Sequence, residues 1–178
     1  MVGAPTDEVM VRAARPDDAA QIAALYGHHV RHGTATFDTE PPPVEHWRDM
    51  VDSMRARGWP FLVAEADGAV LGFAYAAQFR DRPAYRHCCE DSIYIRADRV
   101  GHGIGTALLG ALVEAARASG FAQMLAVIGG AEPASVALHT KLGFRHSGRM
   151  KNVGYKFGRW LDIVYMQRAL GAHDEENL

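Results

Sequence analysis

Three glycines at alternate positions, Gly101, Gly103 and Gly105, stand just after a short apolar run, Ser92-Ile93-Tyr94-Ile95. From Ile104 onward, Ile104, Leu108, Leu112 and Ala116 recur at helical spacing, with Leu109 and Val113 beside them. A strand that passes through glycines into a helix presents unpaired backbone N–H groups to an anion. Glycine permits positive φ and close approach, and the first helical turn adds orphan donors at the positive end of the dipole. Residues Gly101 to Thr106 are therefore a candidate cradle for a pyrophosphate. The stretch is not a Walker A loop, because no Lys-Ser or Lys-Thr follows the last glycine. It is also a broken dinucleotide fingerprint, because Thr106 stands at the third glycine position. The same glycines could simply tighten a strand-to-helix turn.

Other residues nearby could do chemistry. Arg80 and Arg82 sit one residue apart in the polar segment before the apolar run. A guanidinium fork pairs bidentately with a carboxylate and a second arginine can hold another acidic oxygen, which suits a small amino acid or analogue. A solvated loop is the plain alternative. Phe37 and Tyr85 are candidate walls for such a substrate, or loop aromatics that only pack. Glu90, on a strand, shares a face with Cys88, Ser92 and Tyr94. It reads as a proton acceptor or as an ion-paired strand carboxylate. Cys88 and Cys89 are adjacent, so they cannot staple distant segments, and their spacing suggests no metal site. A cysteine could carry a transferred group covalently, but neighbouring strand cysteines more often fill a core. His28, His29 and His32 cluster with no carboxylate or cysteine at ligand spacing. They read as a solvated, dipole-favoured helix end and not as a metal site.

The surrounding pattern supplies the scaffold. Val9 to Ala13 reads as a first strand, and Pro16-Asp17-Asp18 opens a helix with proline in its first turn and acids at the positive dipole end. A loop carrying Phe37 ends at Pro41-Pro42-Pro43, and Val44 to Arg57 is a second helix. Phe61 to Ala66 and Ala69 to Gln78 form a hairpin on the Asp67-Gly68 turn. Phe79 to His87 is a polar loop. The helix after the glycines stops at Gly120, and Ala122 to Ile128 is a strand parallel to the one before the glycines, through a right-handed crossover. Pro133 to Leu142 is a short helix closed by Gly143. Phe144 to Tyr155 and Trp160 to Gln167 make a last hairpin around Phe157-Gly158-Arg159. The whole is one mixed α/β domain over residues 1–170, with a polar tail at 171–178.

A chain of 178 residues suits a single core. Its net charge of −2 gives no bulk attraction to nucleic acid or to an anionic membrane. No apolar run approaches the ~20 residues that span a bilayer. Met1 to Glu8 has neither the basic start nor the apolar core of a secretory signal. With two cysteines that cannot pair at a distance, the expectation is a cytoplasmic protein.

Element order and residues together resemble the GNAT superfamily of N-acetyltransferases over nearly the whole chain. The acetyl-coenzyme A (acetyl-CoA) motif of that superfamily reads here Val100-Gly101-His102-Gly103-Ile104-Gly105, and its second signature reads Ser135-Val136-Ala137-Leu138-His139-Thr140-Lys141-Leu142-Gly143-Phe144. Five further stretches resemble the phosphinothricin N-acetyltransferase group, which includes methionine sulfoximine and methionine sulfone acetylating relatives. They are Thr36-Phe37-Asp38-Thr39-Glu40-Pro41, Ala84-Tyr85, Glu90-Asp91-Ser92-Ile93-Tyr94, Ala126-Val127-Ile128-Gly129 and Gly154-Tyr155-Lys156-Phe157-Gly158-Arg159-Trp160-Leu161-Asp162.

The resemblance implies a mostly antiparallel seven-stranded sheet with one central parallel pair and flanking helices. It implies acetyl-CoA as acetyl donor, no metal, a homodimer, and transfer to the α-amine of a small amino acid or analogue. Glu90 is implied as general base, and His139 as the group that protonates the thiolate or helps deprotonate the amine. Ile93, Tyr94, Ile95, Arg99, Val100, Gly101, His102, Gly103, Ile104, Gly105, Thr106 and Ser135 are implied as acetyl-CoA contacts, and Phe37, Arg80, Arg82 and Tyr85 as substrate contacts. Two residues depart from the pattern. Val100 replaces the usual Gln or Arg, which removes a side-chain contact to phosphate, with Arg99 close enough to substitute. Glu132 stands where many relatives have Asn, and a carboxylate cannot donate as an amide does. A peptide or protein N-acetyltransferase, a non-catalytic coenzyme A sensor and a nucleotide-binding module are the competing readings.

Overall fold

A computed structural model describes residues 8–171. Of the polar tail expected at 171–178 only Gly171 falls among them, and residues 1–7 lie outside them too. The strands are β1 (Met10–Ala13), β2 (Phe61–Ala66), β3 (Ala69–Gln78), β4 (Cys88–Ile95), β5 (Gln123–Gly129), β6 (Arg145–Lys156) and β7 (Arg159–Ala169). They form one sheet in the order β1-β2-β3-β4-β5-β7-β6, in which only β4 and β5 run parallel. Helices α1 (Ala19–His32) and α2 (Val44–Ala56) lie between β1 and β2 in the chain; α3 (Ile104–Ala118) joins β4 to β5, and α4 (Pro133–Lys141) joins β5 to β6. This is the expected architecture. Several element ends shift by one or two residues and Pro16–Asp18 is a separate 3-10 turn ahead of α1, while β4 begins at Cys88, directly after the expected polar loop.

Period-two alternation along the strands divides the interior into two layers. On one face, Ile22, Tyr26 and Val30 of α1 and Trp47 and Val51 of α2 pack against Phe61, Val63 and Phe73. On the other, Leu108, Leu109, Leu112 and Val113 of α3 pack against Ala64, Leu71, Ala74, Met124 and Ala126. Each large side chain buried this way contributes about 1.5–3 kcal/mol. Along β4, Cys89, Ile93 and Ile95 belong to the α3 layer while Tyr94 joins the α1/α2 layer. Asp91 therefore points with the first set, and Glu90 and Ser92 with the second.

The feature that positions the site is where β4 and β5 part. They pair from Cys88↔Gln123 to Asp91↔Ala126 and then stop, although β4 continues to Ile95 and β5 to Gly129. Beyond the break each strand keeps its outer partner, β4 through Ile95↔Gly72 and β5 through Gly129↔Ile163. The sheet opens into a V at its middle.

Candidate active site

The glycine turn closes the wide end of that V. Gly101 and Gly103 adopt φ +86° and +81°, and a Cβ at either would meet nothing within 4 Å, so glycine is there for its conformation. Gly103 caps α3, whose first main-chain bond runs from Ala107 N–H to Gly103 O at 3.1 Å. The amides of Ile104, Gly105 and Thr106 precede it and are orphan donors. The side chain of Ile104 is buried in the core, His102 is exposed, and Gly105 lets α3 approach Leu138 of α4. Arg99 ends a 3-10 turn and Val100, 58% exposed, sits at the groove mouth.

From this turn a groove of about 670 Å³ runs along the V, floored by Ile93 and Ile95 and walled by Ser135 and Leu138. Phe79 N–H donates to Cys88 O (2.9 Å) and Arg96 N–H to Leu71 O (2.8 Å), so even-numbered residues of β4 turn their backbone groups to β3. The backbone groups of Ile93 and Ile95 then face the open side, beyond the last β5 pair. Tyr94 differs from its neighbours: its backbone faces β3, and its ring packs edge-on against Tyr26 at 4.9 Å and near His29 at 5.4 Å, inside the α1/α2 layer.

Two groups the sequence reading did not select as site residues, Lys141 and His29, line this groove together with Glu132. Lys141 reaches Thr106 Oγ1 at 3.5 Å, bringing a cation from α4 to the glycine turn. His29 donates Nε2–H to Ile95 O at 2.8 Å, and burial pulls its pKa below the ordinary histidine value. The expected solvated helix end thus holds for the exposed His28 and His32 but not for His29. Glu132 accepts the Thr34 hydroxyl, so the carboxylate at this unusual position ties the α1–α2 loop to the head of α4.

Glu90 lies one residue before the last β4–β5 pair, half-buried on the α1/α2 side. Burial pushes its carboxyl above the usual range, the charge of Asp91 adds to that, and Arg80 opposes it. Arg80 is therefore within electrostatic reach; its guanidinium stacks 4.6 Å over Phe79, whose ring meets Tyr85 at 5.7 Å. Arg82 and Tyr85 are exposed on the same loop. Phe37 sits elsewhere, against Gly154 and Gly129, where it anchors the α1–α2 loop to β6 and β5. Buried Lys156 holds that loop too, donating to Gly33 O (2.9 Å) and Thr36 O (2.8 Å). Tyr26 bonds Thr36 Oγ1 (2.6 Å) and Asp38 Oδ2 (2.7 Å).

On the opposite side of β4, His139 is enclosed, with Nδ1 2.7 Å from Ser135 O and Nε2 3.0 Å from Asp91 Oδ2. Burial pulls the imidazole down, but the Asp91 carboxylate and the Ser135 carbonyl outweigh it and the net shift is upward. Asp91 could have been found in the sequence, as the one charge in the apolar phase Cys89-Asp91-Ile93-Ile95. The two cysteines offer no activated thiol. Cys89 is fully buried, and burial, with nearby carboxylates, pushes both thiols up. Among the described residues no group of three or more His, Cys, Asp and Glu side chains could hold a metal ion.

The acetyltransferase (GNAT) domain model matches residues 11–165. The chain belongs to the GNAT acetyltransferase family. A phosphinothricin N-acetyltransferase from Alcaligenes faecalis is 46% identical over 165 residues, covering 92% of this chain and 84% of that protein. An L-methionine sulfoximine/L-methionine sulfone acetyltransferase from Pseudomonas paraeruginosa is 41% identical, covering 88% and 92%. The crystal structure of a GNAT phosphinothricin acetyltransferase from Sinorhizobium meliloti in complex with acetyl-CoA superposes with a TM-score of 0.89 at 46% identity, covering 92% of this chain and 89% of that one. For this GNAT enzyme, acetyl-CoA suits the residues present: orphan amides and Lys141 for phosphates, and a groove with unpaired strand amides for a linear, amide-bearing arm.

Proposed function

We propose that this enzyme transfers acetyl from acetyl-CoA to the α-amine of a small amino acid or analogue, of the phosphinothricin, methionine sulfoximine or methionine sulfone type. The observation that carries this reading is a half-buried carboxylate, Glu90, standing where β4 and β5 separate. When bound, acetyl-CoA supplies the acetyl thioester. Residues Gly101 to Thr106, with Arg99 and Lys141, hold its phosphates. Glu90 takes the proton of the substrate ammonium, directly or through one water, and its raised pKa makes it the stronger base. The amides of Ile93 and Ile95 stabilise negative charge developing on the acetyl oxygen. Arg80 and Arg82 pair with the acidic groups of the substrate, and Tyr85 bounds its side chain. His139 faces the other side of β4, so amine deprotonation and thiolate protonation proceed from opposite sides. Transfer is direct, because neither thiol is disposed to act as a nucleophile.

Thiol release from acetyl-CoA with phosphinothricin, methionine sulfoximine, methionine sulfone and free amino acids, compared by kcat/KM, tests the reading. Turnover with peptide amines and with none of these would refute the substrate class. We infer a homodimer as well, supported by Met150, Val153, Tyr155, Phe157 and Trp160, all exposed on the β6–β7 hairpin. Sedimentation at the mass of one chain would refute it. The cytoplasmic location rests on two free cysteines and on the absence, among the described residues, of any helix long and apolar enough to cross a membrane. Recovery in a periplasmic or secreted fraction would refute it.

A further inference from the structure

We propose that Asp91 is the positioning residue of this site: it clamps the His139 ring with both ring nitrogens donating, so that His139 can serve only as the acid side of the reaction and Glu90 alone as the base. The inference rests on the acetyl-transfer reading above. Its first support is a count of donors and acceptors. His139 Nδ1 faces the Ser135 carbonyl at 2.7 Å, with the Ser135 hydroxyl farther off at 3.4 Å, and Nε2 faces the Asp91 carboxylate at 3.0 Å. A carbonyl and a carboxylate both only accept, so a ring that satisfies the two must carry two protons. Such a ring has no lone pair with which to deprotonate an amine. As an acid it releases its Nε2 proton through Asp91, which lines the chamber and has an unpartnered Oδ1, to the departing thiolate and is left neutral.

The second support is burial. Both side chains are 2% exposed. A buried ion pair of this kind is held together by mutual need, since removing one partner strands the other's charge. Its surroundings supply one other acidic group, Glu132. The ring of Phe144 meets the imidazole edge-on at 4.9 Å. The adjoining chamber, about 50 Å³ and large enough for a water, is bounded on the β5 side by Ala126 to Gly129, none of them titratable, and on the loop side by Ala35. Glu132 lines it too and, although its carboxylate accepts the Thr34 hydroxyl, is the one acidic group besides Asp91 in that lining.

The third support is an orphan. Asp91 Oδ1 is buried and has no hydrogen-bond partner among the described residues. A carboxylate oxygen left so costs stability, and here Asp91 lines the chamber between the separated strands. Asp91 also sits next to Glu90 in the chain, and its charge raises that carboxyl, whose other charged and titratable neighbours are Arg80, Tyr75 and Cys88. One carboxylate thus strengthens the base on one face of β4 and fixes the acid on the other.

The test is Asp91→Asn, read by 15N NMR of the His139 ring (assigned with His139→Gln) and by the pH profile of kcat/KM. In the wild type the ring should be doubly protonated at pH 7.5, and in Asp91→Asn neutral. Both limbs of the profile should move to lower pH, the acid limb because Glu90 loses a like charge and the alkaline limb because His139 loses its counter-ion. kcat should fall at least about 10-fold, part of the 10²–10⁴ that acid–base groups supply, with KM for acetyl-CoA little changed. A singly protonated ring in the wild type, or limbs that stay in place while only the melting temperature drops, would overturn the clamp. Should Asp91→Asn fail to fold, Asp91→Ser and the wild-type spectrum decide. The spectrum needs no substrate, so an enzyme that acetylates none of the proposed amines would refute the substrate class and leave the clamp to be judged separately.

Discussion

Alanine at Gly103 separates the two things a left-handed glycine can do. Gly103 holds φ +81° and an added Cβ would meet nothing within 4 Å, so the substitution carries no clash. Its cost is conformational: about 1–2 kcal/mol for an L-residue held left-handed, offset by about 0.4–1 kcal/mol from the stiffer unfolded chain. A net loss of about 1 kcal/mol lowers the melting temperature of a domain of this size by about 2–4 °C. Gly158, in the β6–β7 turn, has φ +72° and equally open surroundings, so Gly158→Ala carries the same folding cost. The variants part at the ligand. Relaxation of φ at Gly103 turns the orphan amides of the first α3 turn away from a bound phosphate. Losing one charge-assisted hydrogen bond costs about 1.5–3 kcal/mol, or roughly 10- to 150-fold in acetyl-CoA affinity. Calorimetric titration of acetyl-CoA into both variants, beside their melting curves, gives the answer. Equal affinities at equal destabilisation would show that the glycine turn shapes the chain and holds no phosphate.

Three further outcomes follow from the geometry. Glu90→Gln should lose about 10²–10⁴ in kcat/KM while binding acetyl-CoA normally; the wild-type acid limb should lie above the ordinary glutamate value, because burial and Asp91 raise that carboxyl. Gly154→Ala would drive a Cβ into Phe37 Cε2, with two further ring carbons at 2.7 Å, and should destabilise by about 1–3 kcal/mol in urea, with Phe37→Ala restoring part of the loss. For His29, burial holds the folded pKa below the unfolded one, so the unfolded chain binds the proton first and stability is lost as pH falls from the ordinary histidine value of 6.5 through the folded pKa. Urea midpoints against pH should decline less over that interval in His29→Gln than in the wild type.

The parts of the molecule governed by local chemistry were legible in the chain. The Asp67-Gly68 hairpin, the amphipathic α3 and the glycine turn each rest on a few neighbouring residues, and their positions were readable within a residue or two. What escaped was long-range. Nothing near Lys156 in sequence announces that its ammonium ends on Gly33 O and Thr36 O, 123 and 120 residues away. His29 looked like one of three solvated histidines until β4 brought Ile95 O against it. For Phe37 the sequence leaves a substrate wall and plain packing both open, and the two distant glycines that make room for its ring, Gly129 and Gly154, are not visible from its neighbours in the chain. Asp91 was overshadowed by its neighbour Glu90, although alternation alone sends the two to opposite faces.

The break in β4–β5 pairing has a mechanical side. Only four residue pairs, Cys88↔Gln123 to Asp91↔Ala126, join a four-stranded half of the molecule to a three-stranded half along that line. A ligand laid into the gap would lean on both halves at once, like a batten driven into a split plank. Its arrival should slow amide exchange on β2 and β3 as well as on β5 and β7, far from any atom it touches, so that for this enzyme the donor is also a brace.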